Sequence, residues 1–104
     1  MPTPRRGEVW MVDLGLAQKV RPALILSIGY ADTDRAIVTV IPHTTKVRGS
    51  EFEVAASVPF LKAGAFITQS VTTIPAKWVL RRLGVISAEQ LSSIEVGVRR
   101  WLGP

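Results

Sequence analysis

The 104 residues include 13 Lys and Arg against 8 Asp and Glu, a net charge of +5, with 47% hydrophobic residues and no cysteine. This length suits a single domain over 1–104, the apolar content is too high for a disordered chain, and neither a disulfide nor a thiolate-bound zinc can be built. No apolar run reaches the roughly 20 residues that span a bilayer, and Glu8 and Asp13 interrupt any signal-like segment after Arg5 and Arg6, so a soluble, cytoplasmic protein with no membrane partner is expected.

In chain order, 8–14 is rich in strand formers between Gly7 and Gly15 and predicts a first strand. A short connection leads to a second strand over 20–28, in which Pro22 lacks an amide proton and belongs near the start or at an edge. Turn residues at 29–34 precede a third strand over 35–41, then a polar, basic loop at 45–50. Segments 51–55, 65–69 and 72–74, the last closed by Pro75, read as further short strands, and 58–64 stays open between a helical turn and a loop. At the C-terminal side Ser87 and Gln90 have capping-box spacing, and Leu91, Ile94, Val98, Trp101 and Leu102 recur on one helical face up to Gly103. The expected class is mainly β with a C-terminal α-helix.

The chain lacks the usual catalytic couples. One histidine and no cysteine exclude a histidine pair and a thiol nucleophile, no close ligand spacing suggests a metal, and neither a phosphate-cradling loop nor a dinucleotide fingerprint is present, so no cofactor is expected. RNA fits these limits as a substrate. Its own 2'-hydroxyl is the nucleophile, and the net positive charge favours a polyanion. Such chemistry asks the protein for charge stabilisation on the phosphoryl oxygens and for alignment.

Arg21 is the leading guanidinium. Pro22 after it enforces extended backbone, and its fork of donors matches a phosphate. Thr44 is the leading hydroxyl. In extended chain it shares a face with Val40 and Pro42, opposite Thr39, Ile41 and His43, so His43 is expected to be structural rather than catalytic. Taken alone, Arg21 reads rather as surface charge at a strand start, and Thr44 as an ordinary β-former. Lys19 and the loop cations Lys46 and Arg48 are candidates for flanking phosphates, with a solvated cluster as the bland alternative. Arg81, Arg82, Arg99 and Arg100 read as surface and helix-end charge, and Trp10, Trp78 and Trp101 as core or subunit contact.

The order Arg6-Gly7-Glu8-Val9-Trp10, Arg21-Pro22-Ala23-Leu24-Ile25-Leu26-Ser27, Pro42-His43-Thr44-Thr45, Phe52-Glu53-Val54 and Leu83-Gly84-Val85-Ile86-Ser87 resembles the MazF/PemK ribonuclease toxins. The resemblance implies an SH3-like small barrel of antiparallel strands, acting as a homodimer with RNA near the subunit junction. It also implies metal-independent, sequence-specific cleavage of single-stranded RNA, with 2',3'-cyclic phosphate and 5'-hydroxyl ends, and inhibition by a cognate antitoxin with an acidic disordered tail. In that pattern Arg21 and Thr44 are catalytic; Gln18, Gln69 and Thr73 lie in segments that correspond to the family's and, with Lys19, Thr45, Lys46 and Arg48, are the expected RNA contacts. Two departures stand out: the connection 15–20 is shorter than in well-known members, and 69–73 reads Gln-Ser-Val-Thr-Thr without an arginine. The competing expectation is a non-catalytic CcdB-like module that grips a protein or RNA without cutting it.

Overall fold

The computed structural model describes residues 3–15 and 19–103, which form seven strands and one helix. These are β1 (Glu8–Asp13), β2 (Val20–Ile25), β3 (Ile37–Thr44), β4 (Glu53–Ala55), β5 (Ala65–Ile67), β6 (Thr72–Pro75), β7 (Val79–Val85) and α1 (Ala88–Leu102). All pairings are antiparallel, in the order β4-β5-β3-β2-β1-β7, with β6 also on β3. β3 bends the sheet, pairing with β6 through Ile37–Val40 and with β5 through His43 and Thr44. The mainly β, SH3-like class with a C-terminal helix therefore holds.

Strand alternation gives the sheet two apolar faces. Trp10 and Val12 of β1, Ala23 and Ile25 of β2, and Val38 and Val40 of β3 fill one core with Ile74 and Val79. Their neighbours Val9, Leu24 and Ile41 turn the other way and meet Phe66, Ile86, Ile94 and Val98. Because both faces are buried there, the C-terminal part of β2, Pro22–Ile25, reads as an apolar run instead of alternating. The helix covers the second face. At Gly97 an added Cβ would stand 2.8 Å from Thr68 Cγ2, so the missing side chain lets α1 lie close against the turn at Thr68–Ser70.

The helix starts as the sequence predicts. Ser87 Oγ accepts the Gln90 N–H at 3.1 Å, and Gln90 Oε1 accepts the Ser87 N–H at 3.0 Å, satisfying two donors the helix itself cannot pair. Its apolar stripe is shorter than expected. Ile94 and Val98 are buried, but Trp101 is 45% exposed and Leu102 more so; Trp101 rests edge-on against Phe52, ring centres 5.4 Å apart.

Several bounds move. β2 stops at Ile25, and β3 runs on to Thr44 because β5 offers it a partner there. The stretch expected as strand over 65–69 turns into a single 3-10 turn at Thr68, where the buried hydroxyl donates to Phe52 O at 2.6 Å. β7 had no expectation at all. It pairs with β1 with two register shifts, which erase the period-2 pattern that marks a strand. Among the described residues no helix is long and apolar enough to cross a membrane.

Candidate functional site

A proline opens the site. β2 and β3 pair from Ile25↔Val40 through Ala23↔Pro42, and there the ladder stops, since Pro22 has no N–H to offer β3 at the next position. Continuing the same register by two positions brings Arg21 opposite Thr44. Arg21 pairs with Val12 of β1 and Thr44 with Ala65 of β5, so each backbone is held from its outer side.

Arg21 and Thr44 are half-buried and border two cavities at once. The larger, about 610 Å³, has an apolar floor that includes Met11, Pro22, Phe60 and Leu83 and carries the cations Lys19, Arg21, Lys46, Lys62 and Arg81. The other, about 420 Å³, is bordered by Arg21, Thr44, Lys46, Arg48, Glu53 and Gln69. Among the described residues no carboxylate lies within 4.0 Å of the Arg21 guanidinium, whose donors face the cavities unneutralised.

The Thr44 hydroxyl accepts the Lys46 N–H at 3.0 Å. One lone pair is thereby used and the rotor is fixed, leaving the hydroxyl proton to donate and a second lone pair to accept. The loop that follows is organised by Glu53, whose carboxylate accepts the N–H groups of Arg48 and Ser50, each at 3.0 Å. The Arg48 amide, with lesser help from Ser50, Gly49 and the Arg48 charge, holds the Glu53 carboxyl below the usual carboxylate range. A carboxylate among cations would compete for phosphate; spending its oxygens on main-chain amides reduces that conflict.

His43 lies on the other side of β3 from Thr44, as the alternation predicts. It is 4% exposed, its edge meets the Phe66 ring at 5.0 Å between centres, and Nε2 has no hydrogen-bond partner. Burial pushes its pKa down, so the ring is neutral at pH 7. It still contributes to the larger cavity from within.

The remaining candidates divide. Lys19, Thr45 and Lys46 border the larger cavity, and Arg48 and Gln69 the smaller. Lys19 closes the β1–β2 connection at a φ of 62°, with Leu14 N–H donating to its carbonyl at 3.2 Å. Thr73 is not brought to either cavity; its Oγ1 is 2.8 Å from that of Thr39 across β3 and β6. Gln18 lies outside the described residues. Sequence reasoning missed Glu53, Lys62 and Arg81 as neighbours of the pair. Glu53 had a signal, a carboxylate three residues after a serine in a basic loop, whereas Lys62 and Arg81 are brought in only by tertiary packing.

Among the described residues no group of three His, Asp or Glu side chains gathers to hold a metal ion. A guanidinium and a hydroxyl on adjacent strands, between cation-bordered cavities, form a seat suited to one phosphodiester. The fold and this seat describe a small antiparallel β protein with a C-terminal helix and a cation-bordered hollow on its surface.

Comparison with known proteins gives the family. PemK-like, MazF-like toxins of type II toxin–antitoxin systems match residues 5–102, and the chain belongs to that family. It is 28% identical over 109 aligned positions to endoribonuclease MazF9 of Mycobacterium tuberculosis (strain ATCC 25618 / H37Rv), covering 91% of this chain and 92% of that protein. The structure of MazF from Deinococcus radiodurans superposes with a TM-score of 0.86 at 20% identity, covering all of both chains. An endoribonuclease from a mycobacterial species, solved in complex with its cognate antitoxin, gives 0.79 at 24%, covering 99% of this chain and 96% of that one. At these identities the two structures speak for the fold.

Proposed function

We propose that this protein is a toxin that cuts single-stranded RNA at short preferred sequences, without a metal ion, and that Arg21 and Thr44 carry the reaction. The observation behind this is their shared position: just past the end of the β2–β3 ladder, a guanidinium and a hydroxyl border the same two cavities. The similarity to MazF9, an endoribonuclease, supports the same reaction class.

In this mechanism the 2'-oxygen of the nucleotide before the scissile bond attacks phosphorus, forming the O2'–P bond as the P–O5' bond breaks. Arg21 stabilises the negative charge that builds on the phosphoryl oxygens. Thr44 donates its proton to one of them, or accepts from the attacking hydroxyl and fixes its line of approach. The 2'-hydroxyl gives up one proton and the departing 5'-oxygen takes one, leaving a 2',3'-cyclic phosphate and a 5'-hydroxyl. Lys19, Thr45, Lys46, Arg48 and Gln69 hold the flanking strand.

The family's type II organisation implies a cognate antitoxin, and the cation-bordered cavities suit an acidic, disordered tail that displaces RNA. Assembly as a homodimer belongs to the same reading, and the mass measured in solution tests it. The test of the reaction is incubation of the purified protein with pooled single-stranded RNA in EDTA, with analysis of the ends. Cleavage giving cyclic phosphate ends, abolished where the attacking 2'-hydroxyl is replaced by hydrogen, is the expected result. Cleavage that survives that replacement, or none on any sequence, would refute the mechanism.

A further inference from the structure

A third cationic cavity, of about 470 Å³, lies on the other side of β7, between the N-terminal segment, the loop before β3 and the turn at Ala76–Trp78. Tyr30, 38% exposed, and the exposed Lys77 border it together with Arg82. Arg81 borders both this cavity and the larger one at the Arg21–Thr44 pair.

The sheet explains why. Pro22 of β2 faces Met11 of β1, and Met11 faces Arg81 of β7. One row of residues therefore crosses three strands, about 10 Å at the usual strand spacing, from the neighbour of Arg21 to Arg81. The β1–β7 register passes from Met11↔Arg81 to Val12↔Val79, which leaves Leu80 as an extra residue on β7. That bulge breaks the alternation, so Leu80, Arg81 and Arg82 are all exposed in succession instead of one turning inward. Arg82 is tied to Glu8, Nε to Oε2 at 2.9 Å, whereas Arg81 has no carboxylate partner among the described residues. An unneutralised guanidinium is left on the ridge between two cationic hollows.

We propose that the cavity at Tyr30 and Lys77 is a distal nucleotide subsite, reached by an RNA strand that runs from the Arg21–Thr44 pair over Arg81, with Lys77 on a phosphate and Tyr30 stacked on a base. This rests on RNA being the substrate of the first site. The chemistry suits single-stranded nucleic acid: spaced cations follow a backbone, and an exposed phenol ring offers a stacking platform to any base.

The test separates this subsite from the nuclease reading by measuring binding as well as cleavage. Affinities are measured by fluorescence anisotropy for a short and a longer single-stranded oligonucleotide, both with hydrogen at the scissile 2' position so that neither is cut. Wild-type protein should bind the longer one more tightly, and Tyr30→Ala/Lys77→Ala should reduce that length advantage roughly tenfold, the effect of losing one stacked base. Arg81→Ala should weaken both oligonucleotides and flatten the salt dependence of binding by about one phosphate contact. A length advantage equal in wild type and double variant would overturn the subsite, even if cleavage is intact. So would a double variant that binds RNA normally but no longer binds an acidic antitoxin peptide. A reduced length advantage in a protein that cuts nothing would support the subsite and refute the nuclease.

Discussion

Glu53 and Arg48 are joined through the main chain: both carboxylate oxygens of Glu53 accept the Arg48 N–H, at 3.0 and 3.1 Å. The basic loop is thus held by its backbone, with the Arg48 side chain left at the edge of the smaller cavity.

Removing the charge should loosen this loop. In Glu53→Gln we expect faster hydrogen exchange at the Arg48 and Ser50 amides and weaker RNA binding, with the global unfolding midpoint little changed. The sign of the pH effect follows from the lowered carboxyl pKa. Loop order is fully present above the unfolded value, about 4.3, and is lost as pH falls through the lower folded value. Exchange rates that do not respond to acid in this way would contradict the assignment.

His43 sets a second pH dependence, at higher pH. Its folded pKa lies below the ordinary 6.5 because the ring is buried. As pH falls from about 6.5 the unfolded chain takes up a proton that the native state refuses, so stability declines until native His43 is protonated too. Replacement by leucine should shrink the difference in urea midpoint between pH 7.5 and pH 5.5. It should leave cleavage at pH 7.5 within a few-fold of wild type. An unaltered pH dependence, or loss of cleavage as deep as that caused by Arg21→Ala, would show that this placement of His43 is wrong.

Gly64 supports the hydroxyl from behind. An added Cβ there would stand 2.1 Å from the Thr44 carbonyl oxygen and 2.8 Å from His43 Cε1, so any side chain must push β3. Gly64→Ala should cost about 1–3 kcal/mol in a urea titration, the usual range for overpacking. The cleavage rate of the fraction still folded should fall as well, because Thr44 moves. Unchanged activity in that fraction would argue that the position of Thr44 is not critical.

Much of this was readable in the chain because local rules and global packing agree. Ser87 and Gln90 announce the helix start, and the Arg21-Pro22 step announces both an extended backbone and the end of a ladder. The face shared by Pro42 and Thr44 follows from period 2 alone. β7 escaped because its two register shifts put exposed residues at three successive positions, which no periodic template matches. Trp101 and Leu102 continue the apolar stripe of α1, but periodicity does not reveal how much of a stripe its neighbours cover. Thr73 was assigned to RNA by resemblance, and its place beside Thr39 depends on the β3–β6 register, which no local pattern specifies. Glu53 was visible as a residue, yet its task requires knowing that the chain from 48 to 50 folds back over it.

Single-turnover cleavage of one RNA by wild type, Arg21→Ala, Thr44→Val and the double variant tests most directly whether these two side chains act on one phosphodiester. Thr44→Ser, which restores the hydroxyl to the Lys46 amide, serves as control. Each single loss should slow the reaction by roughly 10²–10³-fold with the fold intact. The double variant should be little slower than the worse single one, since groups acting as a unit are not additive. Near-normal rates in either single variant, or losses that multiply in the double, would mean that Arg21 and Thr44 do not share a phosphate.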